Sequence, residues 1–280
     1  MTTSPILVIG GTGKTGRRVI QRLQALGHPT RCGSRSADPA FDWEDRSTWP
    51  AALEGARATY ISYFPDLAVP GAVEAIDALT RLALEKGVRR LVLLSGRGEP
   101  EAQRAEQVLQ ASGADWTILR ASWFMQNFSE NFLLDAIQSG TVALPIGDVK
   151  EPFVDADDIA DVAVAALTKP GHNGKLYELT GPRLLSFAET IATIAEAAAR
   201  PLDYVQVTTE QYAEGLSHAD LPDGMADLVM YLLTTVMDGR NESLVEGVQQ
   251  ALGREPRDFA EYACATAATG LWVHALPTLP

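Results

Sequence analysis

The chain has 280 residues, 46% hydrophobic and 21% charged, enough for one large α/β domain or for a core domain with a smaller partner. Its formal charge of −13, with 23 Lys and Arg against 36 Asp and Glu, excludes a nucleic-acid surface, which needs clustered cations. Two distant cysteines (Cys32 and Cys264), no basic-then-apolar leader, and no apolar run near the roughly 18 residues of a membrane helix predict a reduced, cytoplasmic protein.

In chain order, Pro5–Gly10 is a wholly apolar strand, followed by a helix from Gly13 to Leu26 that Gly27 ends. Strands are predicted at Pro29–Ser34 and Ala58–Phe64, then a long helix over Val69–Lys86. The strand Arg90–Ser95, the helix Glu99–Ala111 and the strand Asp115–Arg120 complete the regular part. Strands alternating with helices imply βαβ units and a parallel sheet covered on both faces, a Rossmann-type doubly wound α/β fold. Beyond residue 121 the pattern loosens. Helices are expected at Asn127–Gln138, Asp157–Leu167 and Ser186–Ala199, short strands at Leu176–Thr180 and Tyr204–Val207, and mostly helix after Glu210. The expected division is a nucleotide-binding domain over 1–150 and a smaller, mostly helical C-terminal substrate-binding lobe over 151–280 that packs on it.

The first βα junction carries GGTGKTG. A triphosphate P-loop needs glycine at position 8, where Val8 stands, so the GKT is not a P-loop tail. Gly11, Gly13 and Gly16 satisfy G-x-G-x-x-G, and Gly10, Gly13 and Gly16 a G-x-x-G-x-x-G variant. The loop follows a strand and opens a helix, the context that gives the dinucleotide motif its meaning. Gly10, Thr12, Gly13, Lys14, Thr15 and Gly16 are therefore the expected phosphate contacts. The second strand ends Cys32-Gly33-Ser34-Arg35, with no acid before Asp38 to hold a ribose 2′-hydroxyl. Ser34, Arg35 and Lys14 instead suit a 2′-phosphate, which predicts NADP. The competing reading leaves Arg35 a solvated surface residue.

With these motifs placed, the chain resembles the NmrA-like branch of atypical short-chain dehydrogenases/reductases. The likeness runs through GGTGKTG, SRS, FDW, LLSGRG, TILRASWFMQNF, GDVKEPFVDADDIADVAVAAL and LTGPRLLSFAE. Within that branch it is most similar to the festuclavine/agroclavine dehydrogenase group, through SRS, FDW, SWFMQNFS, GPRLLS and a late DGRNESL…VQQALGREPRDFAEYA stretch. The resemblance implies NADPH-dependent reduction of a cyclic iminium. The broader branch also holds quinone reductases and non-catalytic redox sensors. Asp42 and Trp43 are expected beside the adenine, and Phe153, before an Asp-rich helix start, on the nicotinamide side.

None of the seven tyrosines is followed four residues later by Lys, so the usual Tyr-x-x-x-Lys proton donor is missing. Ser95 survives at its strand end, expected beside the cofactor; Tyr63, Ser95 and Glu106 are the remaining candidate catalytic groups. Glu106 or Arg97 would assist through charge; the competing and favoured reading makes both solvated residues of a helix and a loop. A ketone would need an acid or oxyanion support. A preactivated iminium or quinone would depend chiefly on orientation over the nicotinamide. Tyr63, Phe64, Trp123, Phe124 and Phe128, beyond strand ends, are the expected substrate contacts. Asp155, Asp157, Asp158 and Asp161 match no metal loop and read as helix-capping acids, so no metal is predicted. The expected partner is a small-molecule substrate, with no nucleic acid and no membrane; a homodimer is compatible with the sequence and not required by it.

Overall fold

The computed structural model describes residues 4–130, 133–219 and 221–273. Its strands in chain order are β1 (Ile6–Ile9), β2 (Thr30–Gly33), β3 (Ala58–Ile61), β4 (Arg90–Gly96), β5 (Asp115–Ala121), β6 (Thr141–Leu144), β7 (Lys150–Glu151), β8 (Lys175–Leu179), β9 (Leu185–Ser186) and β10 (Asp203–Gln206). Its α-helices are α1 (Lys14–Ala25), α2 (Trp49–Leu53), α3 (Ala72–Glu85), α4 (Pro100–Ala111), α5 (Leu133–Ser139), α6 (Ala156–Thr168), α7 (Phe187–Ala197), α8 (Thr209–Ser217), α9 (Met225–Tyr231), α10 (Gly247–Leu252) and α11 (Phe259–Ala267).

Two compact units result. The first runs to Ala121 and resumes over Ala156–Leu179 and Val245–Glu255; the second comprises Ser122–Asp155, Thr180–Leu244 and the stretch from Pro256 onward. Each unit is discontinuous in sequence, and a cut at residue 150 falls inside a segment of the second.

The first unit is Rossmann-like. Its sheet has the order β2-β1-β3-β4-β5-β8 with every pair parallel. β1 and β3 are buried at all four positions, as expected of strands covered on both faces. Helix α3 buries Ala72, Ala75, Ile76, Leu79, Thr80 and Ala83, the i, i+3, i+4, i+7 stripe of an amphipathic helix. Helix α10 lies flat on β8, because a methyl carbon at Gly247 would overlap the carbonyl of Glu178. The acids of α6 are salted into this unit. Asp157 and Asp161 pair with Arg22, and Asp158 and Asp161 with Arg254, at 2.6 to 2.7 Å.

The second unit packs aromatic and aliphatic side chains of α5, α7, α11 and the segment around Met125 into one core. α7 starts with a capping box between Ser186 and Glu189, and α8 with one between Thr208 and Gln211. β10 pairs in parallel with β6, and β7 antiparallel with β9.

Several elements differ from their sequence expectation. The strand expected to reach Phe64 stops at Ile61, and residues 62–66 form a loop. The following helix starts at Ala72, after Gly71 with φ +87°. Instead of one helix over Asn127–Gln138 there is a 3-10 turn at Met125–Phe128 and then α5, with residues 131–132 outside the described set.

Candidate functional site

The loop between β1 and α1 is defined by what a side chain would meet there. Gly10 has φ +72°, a conformation glycine adopts without strain. A methyl carbon on Gly11 would stand 2.7 Å from Cys32 Sγ, and one on Gly16 2.1 Å from Gly10 O. Gly13 occupies the N-cap position of α1, which no side chain caps and whose first turn holds no acid. The result is a side-chain-free floor at a helix N-terminus, where amide N–H groups and the helix dipole hold a pyrophosphate. The residues fit a dinucleotide. Thr12 and Gly13 are exposed and Lys14 is half-buried. Thr15 is the exception: it is buried, and its hydroxyl accepts from Tyr60 OH at 2.9 Å, so it braces the loop from beneath.

Past β2, the Ser34 carbonyl accepts from Ala37 N–H at 3.2 Å and Phe41 N–H at 2.9 Å, closing a compact turn. Arg35 projects from this turn exposed, with no ion pair or side-chain hydrogen bond among the described residues. Asp42 organises the next loop, accepting from Glu44 N–H at Oδ1 and from Trp49 Nε1 at its carbonyl. Trp43 donates Nε1–H to Ser62 O at 3.3 Å and lies 4.6 Å from the Tyr63 ring.

The sheet order reverses between β1 and β3, and open α/β sheets bind ligands beyond the strand ends at such a point. The loop after β3 stands there: a methyl carbon on Gly10 would come 3.1 Å from Ser62 Cβ. Tyr63 follows half-buried, and Phe64 is 65% exposed. Burial pushes the Tyr63 phenol above its ordinary value, with Arg46 opposing and Glu44 and Glu74 adding. Tyr63 therefore holds its proton tightly and suits stacking better than proton donation.

Ser95 and Glu106 take other roles than those expected of them. Ser95 Oγ donates to Glu106 Oε1 at 2.6 Å, and both residues are buried. Arg120 clamps the same carboxylate with Nε at 2.9 Å and with Nη2, and reaches Glu178 with Nη1 at 2.7 Å. Arg97 joins Glu178 at 3.3 Å. Glu106 is thus neither a solvated helix residue nor a poised base; it is the buried centre of a partly buried ion network joining α4, β5 and β8. A serine and a carboxylate engaged in this way are structural.

In the second unit, Phe128 and Phe153 are 0% and 1% exposed, 5.5 Å apart, and packed with Phe187 and Phe259. Their side chains form core, which corrects the expectation that Phe128 touches substrate and Phe153 the cofactor. Trp123 and Phe124 are half-buried, and Trp123 Nε1–H is buried with no acceptor among the described residues.

One constellation was missed in the sequence. Asp66, in the loop after β3, and Glu99, after β4, hydrogen-bond carboxyl to carboxyl, and burial raises both, Glu99 well above its ordinary value. The only hint was an acid within a few residues of each strand end, in FPD and GRGEP.

Residues 10–170 match a family model described as NAD(P)H-binding, and residues 102–263 one described as the NmrA-like family. An NAD(P)H azoreductase of Xenophilus azovorans is 34% identical to this chain, over 94% of it and 98% of that protein. The agroclavine dehydrogenase of Claviceps fusiformis is 31% identical, over 92% of this chain and 95% of its own. Among solved structures, an NADPH-dependent quinone oxidoreductase of Escherichia coli, complexed with NADPH, superposes with a TM-score of 0.78 at 21% identity. The match covers 93% of this chain and 99% of that one.

Proposed function

Because the chain belongs to the NmrA-like family and is an NAD(P)H-dependent oxidoreductase, we propose that it reduces a flat, conjugated, preactivated small molecule, foremost a cyclic iminium or imine, with NADPH as the donor. The observation that carries this reading is negative in one respect and positive in another. No tyrosine precedes a lysine by four residues, and Ser95 is committed to Glu106, so the machinery for carbonyl–alcohol interconversion is missing. The phosphate floor of Gly10, Gly11, Gly13 and Gly16 is nevertheless intact.

Gly10, Thr12, Gly13 and Lys14 would hold the pyrophosphate against the N-terminus of α1. Arg35, exposed and uncommitted, would form a bidentate contact with the 2′-phosphate, with Ser34 beside it. Trp43, fixed by Ser62 and Tyr63, would border the adenosine half. A reduced nicotinamide bound here supplies hydride. Tyr63 and Phe64 offer ring faces to a conjugated acceptor, cationic or neutral.

A second reading is favoured by the acid pair Asp66–Glu99: acceptors that take up a proton with the hydride, such as azo compounds and quinones. An NAD(P)H azoreductase stands among the relatives at an identity comparable to that of the agroclavine dehydrogenase, which supports keeping azo acceptors beside imines. NADPH absorbance followed with cyclic imines, azo compounds and quinones tests the proposal. Turnover of at least one class is expected. Tight NADPH binding with no turnover of any would replace it by a redox-sensing role. NADH binding as tightly as NADPH in a fluorescence titration would overturn the assignment of Arg35.

A further inference from the structure

The carboxyl of Glu99 is placed against its local interest. Glu99 is the N-cap residue of α4, yet its side chain accepts no hydrogen bond from that helix. An N-cap acid ordinarily turns to the first-turn N–H groups and is stabilised as the anion by the helix dipole. Here it turns away and lies across Gly96, where a methyl carbon would sit about on top of the carboxyl group, so a side chain at 96 would displace it. The residue is 8% exposed, and its Oε2 is buried with no hydrogen-bond partner among the described residues.

What it faces is another acid. A hydrogen bond between the carboxyls of Asp66 and Glu99 requires one proton between them. Burial is the largest cause of the raised Glu99 carboxyl, the Asp66 carboxyl comes next, and Glu101 and Glu106 of α4 add smaller repulsion. Arg97, the cation nearest in sequence, pairs with Glu178, and Arg46, Glu44 and Glu74 act on Tyr63 in the same loop. Neither Asp66 nor Glu99 has an ion pair among the described residues. Two buried carboxyls in contact without a cation resist ionising together, so the pair holds a proton to higher pH than either carboxyl would alone. Asp66 Oδ1 also accepts from Ala68 N–H at 2.8 Å, which makes it the better anion and leaves Glu99 the proton carrier.

The location supplies the role. β3 and β4 are neighbours with Ile61 opposite Leu93, so the loops that carry Asp66 and Glu99 leave the same edge of the sheet. That edge holds the phosphate floor, the half-buried ring of Tyr63 and the exposed ring of Phe64.

We propose that Asp66 and Glu99 form a shared-proton acid pair that protonates the acceptor as it is reduced, a substitute for the absent Tyr-x-x-x-Lys. The inference rests on the reductase reading above and deepens it. Hydride from the reduced nicotinamide coenzyme, oxidised in the exchange, reaches the electrophilic atom of a C=N or N=N bond. The π electron pair moves to the nitrogen, an N–H bond forms there, and the Glu99 O–H bond breaks. The pair, left doubly ionised, regains its proton from water through half-buried Asp66. The acceptors that profit are neutral ones; a permanently cationic N-alkyl iminium yields a neutral amine and needs no proton.

Two measurements test this. In a 13C-carboxyl NMR titration with no nucleotide added, one carboxyl should titrate above the ordinary carboxylate range, and the signal should be lost in Glu99→Gln. Both carboxyls titrating in the ordinary range would overturn the pair. With saturating NADPH, Glu99→Gln should slow reduction of an uncharged azo compound or cyclic imine about 100-fold or more. The N-methyl iminium of the same ring should be slowed less than tenfold, and Asp66→Asn should share that selectivity. The wild-type rate on the neutral acceptor should fall as pH rises through the elevated value, and Glu99→Gln should lose that limb. Equal losses on both acceptors, or none on the neutral one, would overturn the role. No wild-type turnover of any acceptor would bring down the reductase reading itself, an outcome told apart because the nucleotide-free titration still reads the pair.

Discussion

Gly16 and Arg35 expose the cofactor assignment to single substitutions with opposite signatures. Gly16→Ala would place a methyl carbon 2.1 Å from Gly10 O, a clash with backbone that no rotamer relieves. It is expected to lower the melting temperature and to abolish NADPH binding in a fluorescence titration. Arg35→Ala touches nothing in the fold, since the side chain is exposed and engages no described residue. It is expected to leave the melting temperature unchanged and to weaken NADPH by about 10- to 100-fold, as for one charge-assisted contact of roughly 1.5–3 kcal/mol. NADH affinity should hardly move; equal losses for both nucleotides would contradict the 2′-phosphate role. At this scale the glycines were legible because their spacing encodes backbone geometry directly. Phe128 and Phe153 were not, because an aromatic ring has the same chemistry in a core as in a pocket, and only burial distinguishes them. Glu106 was not either: its partner Arg120 lies 14 residues away on β5, and nothing local announces the pair.

At the scale of elements, the network of Ser95, Glu106, Arg120, Glu178 and Arg97 binds α4, β5 and β8 through charge. Arg120→Met would leave Glu106, 2% exposed, without its counter-ion. The expected loss in urea unfolding is about 3–5 kcal/mol, the usual penalty for stranding a buried charge. Arg120→Met with Glu106→Gln should recover part of it. Asp66 and Glu99 predict a pH signature of the opposite kind to most carboxylates. Their folded values are raised, so the folded chain keeps a proton that the unfolded chain releases. Stability from this source is complete below the ordinary carboxylate range and is lost as pH rises through the elevated folded value. Urea midpoints should fall over that window for the wild type and stay flatter for Glu99→Gln. The elements of the first unit were readable because wholly apolar runs such as ILVI alternate with helices ended by glycine. The end of β3 was not, since Ser62-Tyr63-Phe64 has strand-like composition but leaves the sheet to form a loop. Short β6, β7 and β9 were missed because two to four residues carry too little periodicity.

Across the whole molecule, the Rossmann-like architecture of the first unit was legible from the order of its elements, whereas the course of the chain was not. Segments 156–179 and 245–255 return to the first unit after excursions into the second, so no single boundary separates the units. Periodicity describes elements one at a time and carries no record of which sheet they rejoin; β8, closing the sheet beside β5, had to be seen. The acceptor is likewise a property of the assembled chain. A phosphate floor, ring faces after β3 and a protonated acid pair on the same sheet edge favour hydride addition to a conjugated C=N or N=N bond. The most direct measurement supplies NADPH carrying deuterium at the transferred position together with a cyclic imine, and reads the product by mass spectrometry. Deuterium on the former imine carbon, one atom per NADPH consumed, is the predicted result. Tight NADPH binding with no deuterated product from the imine, and no NADPH consumed with azo or quinone acceptors, would contradict it.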